Sequence, residues 1–143
     1  MIKLGTTFWG SSPGDLNGKH LWFVVSDPTF NHGVVLIANM TTRRSGSEDC
    51  CVLQPGDHPS IKRESVINYL RARCVPAKNI EEAYKMRPDC IMFAEPADEI
   101  LVIRILRGAL KSNRVSPEWQ ELARKELTRI AGSNIASKVN PPY

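Results

Sequence analysis

A histidine and two threonines stand at the ends of two apolar segments, a position from which side chains can reach a ligand. His20 immediately precedes the segment LWFVVS, and Thr41 and Thr42 directly follow the segment VVLIANM. If the two segments pair as antiparallel strands, the start of the first lies beside the end of the second. An imidazole transfers protons near neutral pH, and a hydroxyl donates a hydrogen bond to an anion. The spacing therefore predicts a site for phosphate chemistry in which His20 faces Thr41.

His58 is the candidate for a second proton-transfer group. It lies in the turn GDHP, which we expect at the same end of the sheet, whereas His32 lies in the connection between the two strands, at the opposite end. Cleavage of RNA by its own 2′-hydroxyl needs a base, an acid and nearby cations, and it requires no metal. His20, Thr41 and His58 are therefore the predicted catalytic residues of a ribonuclease that uses neither a metal nor a cofactor.

Basic and hydroxyl side chains near these strand ends are candidates for binding the phosphates of RNA. Two pairs of adjacent cations lie near these strand ends, Arg43 with Arg44 and Lys62 with Arg63, in a chain of net charge +4. Ammonium and guanidinium groups bind phosphate through charge-assisted hydrogen bonds. The predicted RNA-binding residues are Lys19, Thr42, Arg43, Arg44, Lys62, Arg63 and Ser65.

Length and composition are those of one folded domain. The chain has 143 residues, 42% hydrophobic and 24% charged, which excludes disordered, collagen-like and coiled-coil classes. Its apolar runs are far shorter than the roughly 20 residues of a membrane-spanning helix, and no secretion signal is visible. The four cysteines lack C-x-x-C spacing, so we expect reduced thiols, a cytoplasmic protein and no membrane partner.

The N-terminal half has the pattern of short strands joined by turns. The segments with strand character are Ile2–Trp9, Leu21–Ser26, Val34–Met40, Cys50–Leu53 and Ser65–Leu70. Five short strands with irregular connections predict a small, strongly bent antiparallel barrel over about residues 1–75.

The C-terminal half has the periodicity of helices. Asn79 is an expected N-cap, the segment Ala97–Lys111 has an apolar stripe, and Ser116 precedes a last helix that is expected to stop at Gly132. The fold class is therefore α+β, a single domain over residues 1–143 in which helices over about residues 76–132 pack on the barrel and residues 133–143 form a loose tail.

Several segments together carry a resemblance to a known family. They are Gly5–Thr7, KHLWFVVSDP from Lys19 to Pro28, VVLIANMTT from Val34 to Thr42, LQPGDHPSI from Leu53 to Ile61, and ESVINY from Glu64 to Tyr69. In this order they resemble the PemK/MazF family of toxin endoribonucleases, and the resemblance covers about Gly5 to Tyr69.

The resemblance implies an SH3-like barrel that commonly dimerises and cuts single-stranded RNA without a metal. It also implies a partner, an antitoxin protein whose C-terminal segment occupies the RNA groove. By position, Thr41 matches the family's strand-end threonine or serine, and Ser11–Gly18 matches the loop that borders the RNA site. Many members have an arginine where this chain has His20.

That departure leaves a second interpretation open. Histidine can replace arginine in proton transfer, but it lacks the permanent charge and the bidentate grip of a guanidinium. The alternative is therefore a catalytically inactive SH3-like barrel that binds nucleic acid or a protein. Proximity of His20 and Thr41 in a cationic groove favours the enzyme, and wide separation favours the binding module.

Overall fold

The computed structural model describes residues 1–11 and 19–137. Of the predicted loop Ser11–Gly18, all but Ser11 lies outside the described residues, as do residues 138–143 of the predicted tail. In the part of the chain that is described, no helix is both long and apolar enough to cross a membrane.

Six strands form one antiparallel sheet that curls into a half-barrel, with the order β4-β5-β3-β2-β1-β6. The strands are β1 Thr7–Gly10, β2 His20–Val24, β3 Val34–Thr42, β4 Val52–Leu53, β5 Ser65–Pro76 and β6 Met92–Ala94. The prediction of a bent antiparallel sheet with C-terminal helices is confirmed. A shift in register between β3 and β5, at Ile37 and Asn39, accompanies the bend.

Among the described residues, three helices follow or interrupt the strands: α1 Ala77–Met86, α2 Glu99–Lys111 and α3 Pro117–Ser137. The Asp98 side chain caps α2 by accepting a hydrogen bond from the Leu101 amide at 2.8 Å, and Ser116 caps α3 through the Trp119 amide at 3.2 Å.

Two helix boundaries differ from the sequence prediction. The first helix begins after Pro76 rather than at Asn79, because the rigid φ of proline suits the residue before a helix as well as the end of a strand. The last helix passes through Gly132 and ends at Ser137, so the predicted stop and the start of the predicted tail were wrong. A glycine inside a helix costs only about 1 kcal/mol, and the packing of α3 outweighs this cost.

The two faces of the sheet have different coverings. Helices α2 and α3 pack on one face and form the main core with residues such as Phe23, Ala38 and Tyr69. On the other face, α1 contributes Ala77 and Ile80 to a smaller apolar cluster. The remainder of this second face, near the start of β2 and the end of β3, is open, and it forms a cleft.

Candidate functional site

The cleft has a volume of about 660 Å³, and most of the residues that line it are polar. Five lining residues are cationic: Lys19, Arg44, Lys62, Arg63 and Arg71. Five carry hydroxyls: Thr41, Thr42, Ser47, Ser60 and Ser65. The others are Trp9, His20, Leu21, Asn39, Met40 and Asn68. Neither aspartate nor glutamate occurs among the described lining residues, so the cleft has a positive potential that attracts polyanions.

His20 and Thr41 lie on neighbouring strands at the floor of the cleft. In the antiparallel register of β2 and β3, Trp22 pairs with Asn39; continued by two residues, this register brings His20 level with Thr41. Both residues line the cleft, and both are half-buried. Side chains at facing positions have Cβ atoms about 5 Å apart, a separation that a phosphate group can bridge.

The cations of the cleft keep their charge available. Within residues 1–11 and 19–137, the ion pairs of the structure use none of Arg44, Lys62, Arg63 and Arg71. Lys19 donates from Nζ to the Asp89 carbonyl oxygen at 2.5 Å, which keeps its ammonium group at the rim of the cleft without neutralising it.

Arg43 was predicted to bind phosphate, and the structure places it elsewhere. Its guanidinium donates to Glu64 Oε1 at 3.0 Å and to Asp49 Oδ2 at 3.4 Å, and it is not among the residues that line the cleft. Hydrogen bonds from Gln54 and from Arg43 lower the pKa of the Glu64 carboxyl. Because two carboxylates neutralise Arg43, we do not assign it to the RNA-binding set.

His58 was predicted to be a second catalytic group, and its surroundings are those of a structural residue. It is 3% exposed, and it packs edge-on against Phe23 with ring centroids 6.1 Å apart. The Ser60 amide donates to Nδ1 at 3.0 Å, and Nε2 lies 2.5 Å from the Glu95 carbonyl oxygen. With Nδ1 accepting, the proton is on Nε2 and is donated to Glu95. Both ring nitrogens are engaged, and His58 does not line the cleft, so it is no longer a candidate.

Eight further residues of the lining were missed in the sequence, among them Asn39, Asn68, Arg71 and Trp9. Asn39 is the only polar residue within the run VVLIANM, and this interruption was the signal that could have found it. Arg71 was missed because β5 continues past Leu70 to Pro76. Trp9 gives the cleft an aromatic surface, on which a nucleobase can stack.

The donor sets of the described residues do not form a metal site. Nowhere in these parts of the chain do three or more His, Cys, Asp or Glu side chains converge. The groups that do converge are one imidazole, hydroxyls, amides and cations, a combination that can move a proton and stabilise negative charge on phosphate oxygens.

Comparison with known proteins gives a similarity of fold. No family model matches the sequence, and no curated protein matches it. Among solved structures, a chain in the crystal structure of MazE-MazF (Form-III) from Deinococcus radiodurans superimposes with a TM-score of 0.52 and 15% identity. The match covers 80% of this chain and 98% of the other. The curled sheet with its C-terminal helices is therefore a MazF-like fold.

Proposed function

We propose that this protein is a metal-independent endoribonuclease of a toxin–antitoxin type system that cleaves single-stranded RNA. One observation carries the proposal: His20 and Thr41 face the same cleft. Five cations line this cleft, and none of its described lining residues is a carboxylate. An imidazole beside a hydroxyl in a positive groove suits a phosphodiester substrate, and the MazF-like fold agrees with this assignment.

In the proposed reaction, the substrate supplies its own nucleophile. His20 accepts the proton of a ribose 2′-hydroxyl, and the 2′ oxygen attacks the adjacent phosphorus. The bond from phosphorus to the 5′ oxygen breaks, and the leaving oxygen takes a proton from water, which enters the open cleft. The products are a 2′,3′-cyclic phosphate and a 5′-hydroxyl.

Thr41 and the cations stabilise the charge that develops during this attack. The Thr41 hydroxyl donates to a non-bridging phosphate oxygen, and the guanidinium groups of Arg44 and Arg63 balance the negative charge. Around this centre the RNA is bound by further residues that line the cleft: Lys19, Thr42, Lys62, Ser65 and Arg71.

The same cleft is proposed to bind an inhibitory partner. A chain segment rich in aspartate and glutamate complements the charge of the groove and competes with RNA for it. The similar fold in the structure described as MazE-MazF supports an antitoxin as this partner. By the same analogy we propose that the protein is a homodimer, which its mass in solution would test.

The test compares two histidines with the same substitution. Single-stranded RNA is incubated in EDTA with the wild type, with His20→Asn and with His32→Asn. His32 lies between β2 and β3 with a φ of 54°, a conformation that asparagine tolerates. We expect cleavage by the wild type and by His32→Asn, and a rate at least about 100-fold lower for His20→Asn. Unchanged cleavage by His20→Asn would refute the role of His20.

The binding of RNA separates this proposal from the alternative of an inactive module. If the wild type binds single-stranded RNA in the cleft but leaves it intact over a broad range of sequences, the protein is a binding module. If it neither binds nor cuts RNA, the nuclease and the RNA-binding module both fail, and the protein-binding module remains.

A further inference from the structure

Asn39 is a buried amide at the floor of the cleft. It lies on β3, where it faces Trp22 of β2 and Asn68 of β5 in the register of the sheet. It is 2% exposed, yet it belongs to the lining of the cleft. Its neighbours in sequence, Ala38 and Met40, are apolar, and an aliphatic residue would continue the pattern of the strand.

The amide oxygen of Asn39 accepts no hydrogen bond. Of the buried side-chain nitrogen and oxygen atoms in the described part of the chain, Asn39 Oδ1 is the one that has no partner. The nearby Trp22 indole cannot serve as its donor, because its N–H is bonded to the Gly10 carbonyl at 3.1 Å. A buried acceptor without a partner destabilises a fold, so its presence in a cleft points to a donor on a ligand.

The position of Asn39 relative to Thr41 indicates which part of a ligand supplies that donor. Two residues apart on one strand, they share a face and lie about 7 Å apart along it. A phosphate bound at Thr41 places the ribose and base of the same nucleotide at about this reach. The ribose hydroxyl that attacks must stay beside the phosphorus, so the group near Asn39 is the base.

We propose that Asn39 determines base preference by accepting a hydrogen bond from an exocyclic amino group of adenine or cytosine. This rests on the proposed function only in taking the cleft as an RNA site. In both bases an amine stands beside an unprotonated ring nitrogen, so the asparagine amide can accept from the first and donate to the second.

The recessed position of the acceptor disfavours uracil. An exocyclic amine projects beyond its ring and can reach into the floor of the cleft. The ring N–H of uracil lies between two carbonyl oxygens, which would press against the rim before the N–H reached Asn39 Oδ1. The two oxygens would then lose their water without gaining donors.

The experiment measures binding to RNA analogues that cannot be cut. Four RNA octamers with 2′-fluoro riboses are compared, each with a single base throughout. The bases are adenine, purine (adenine without its amine), cytosine and uracil. We expect the wild type to bind adenine over purine, and cytosine over uracil, by about fivefold or more, the effect of one recognised base edge. Asn39→Leu should abolish both preferences and raise the melting temperature, because it removes the unpartnered oxygen.

Asn68→Leu is the matched control. Asn68 pairs with Asn39 across the strands and lines the same cleft, but it is only half-buried and has no buried atom without a partner. We expect this variant to keep the ratio of adenine to purine binding. Asn39→Ala is the second variant if the leucine does not fit, and it should lose the same ratio.

The outcomes separate the inference from the proposed function. Preferences that are equal in the wild type and in Asn39→Leu, or absent from the wild type, overturn the inference even if RNA is cleaved. The expected preferences, together with RNA that is never cut, uphold the inference and overturn the nuclease. If no octamer binds, both fail.

Discussion

Polar groups on the two faces of the sheet differ in whether they have hydrogen-bond partners within the chain. On the covered face, the Tyr69 hydroxyl donates to the Ile105 carbonyl at 2.6 Å, and the Trp119 indole donates to the Arg73 carbonyl at 3.1 Å. On the open face, Asn39 Oδ1 has no partner, and none of the described carboxylates lines the cleft beside its cations.

This contrast distinguishes the polar groups that stabilise the fold from those that form the site. Polar groups that are satisfied inside the chain fix the helices on the sheet, which stabilises the fold. A buried polar group that the chain leaves unsatisfied lowers its stability and indicates a surface that another molecule completes. Substitutions on the two faces should therefore separate into effects on stability and effects on RNA.

The largest effect is expected from Thr41→Val on the open face. Removing the hydroxyl removes a donor to the developing charge, which should lower the rate of RNA cleavage about 100-fold to 1,000-fold. The melting temperature should stay nearly unchanged, because no described hydrogen bond uses the Thr41 hydroxyl. The matched control is Thr128→Val on the exposed side of α3, where the hydroxyl bonds only to the Arg124 carbonyl. Equal rates in both variants would contradict the role of Thr41.

On the covered face, Gly108→Ala should destabilise the fold by about 1–3 kcal/mol. A Cβ at Gly108 would collide with the Tyr69 hydroxyl and lie 2.9 Å from the Cys50 carbonyl oxygen. Among the described residues, a Cβ at Gly132 of α3 would meet no atom within 4 Å beyond the adjacent residues and the backbone of its own helix, so Gly132→Ala should stabilise the helix by up to about 1 kcal/mol. Urea unfolding measures both free energies, and opposite signs are expected. A stabilising Gly108→Ala would contradict the close packing of α2 on the sheet.

The covered face should also lose stability at alkaline pH through Cys51. Burial raises the pKa of the Cys51 thiol to about 11 from its ordinary value of 9.0. In the unfolded chain the thiol ionises from about pH 9, whereas the folded chain holds it neutral, so its contribution is complete below pH 9 and is lost as the pH rises towards 11.

Between these limits the free energy of unfolding should fall by up to about 1.4 kcal/mol per pH unit from this thiol. Cys51→Ala should show a correspondingly shallower fall than the wild type when urea unfolding is repeated from pH 8 to pH 11. Parallel curves would mean that the thiol ionises over the same pH range in the folded and the unfolded protein, and so that burial does not raise its pKa.

The smallest effect is expected from single cations and is visible in salt titrations. Arg63→Gln in the cleft should reduce the slope of log K against log salt concentration for single-stranded RNA by about 0.7. Arg43→Gln should leave that slope unchanged, because Arg43 is paired with Glu64 and Asp49. Equal reductions in both variants would show that RNA extends beyond the cleft.

The sequence could predict the part of the site that lies on two neighbouring strands. His20 and Thr41 flank two apolar segments, and antiparallel pairing of adjacent segments was sufficient to place them together. The predictions for His58 and Arg43 failed for a common reason. His58 is bonded to Glu95, which is 37 residues away, and Arg43 turns to Glu64, 21 residues away, and no local pattern reveals such distant partners.

The fold shows the same limit. Alternating or continuous apolarity identified the central strands, whereas β6 is only three residues long and was missed. It becomes a strand because β1 pairs with it along Met92, Phe93 and Ala94. Arg71 was likewise missed, because β5 continues past Leu70 to Pro76, and this extension depends on pairing with β3 rather than on propensity.

In the proposed function, the open face cuts RNA by means of the substrate's own 2′-hydroxyl. The most direct measurement is mass spectrometry of the ends produced when the wild-type protein cleaves single-stranded RNA in EDTA. We expect a 2′,3′-cyclic phosphate on one fragment and a 5′-hydroxyl on the other. Fragments that carry a 3′-hydroxyl and a 5′-phosphate would contradict it, because water rather than the ribose would then have attacked.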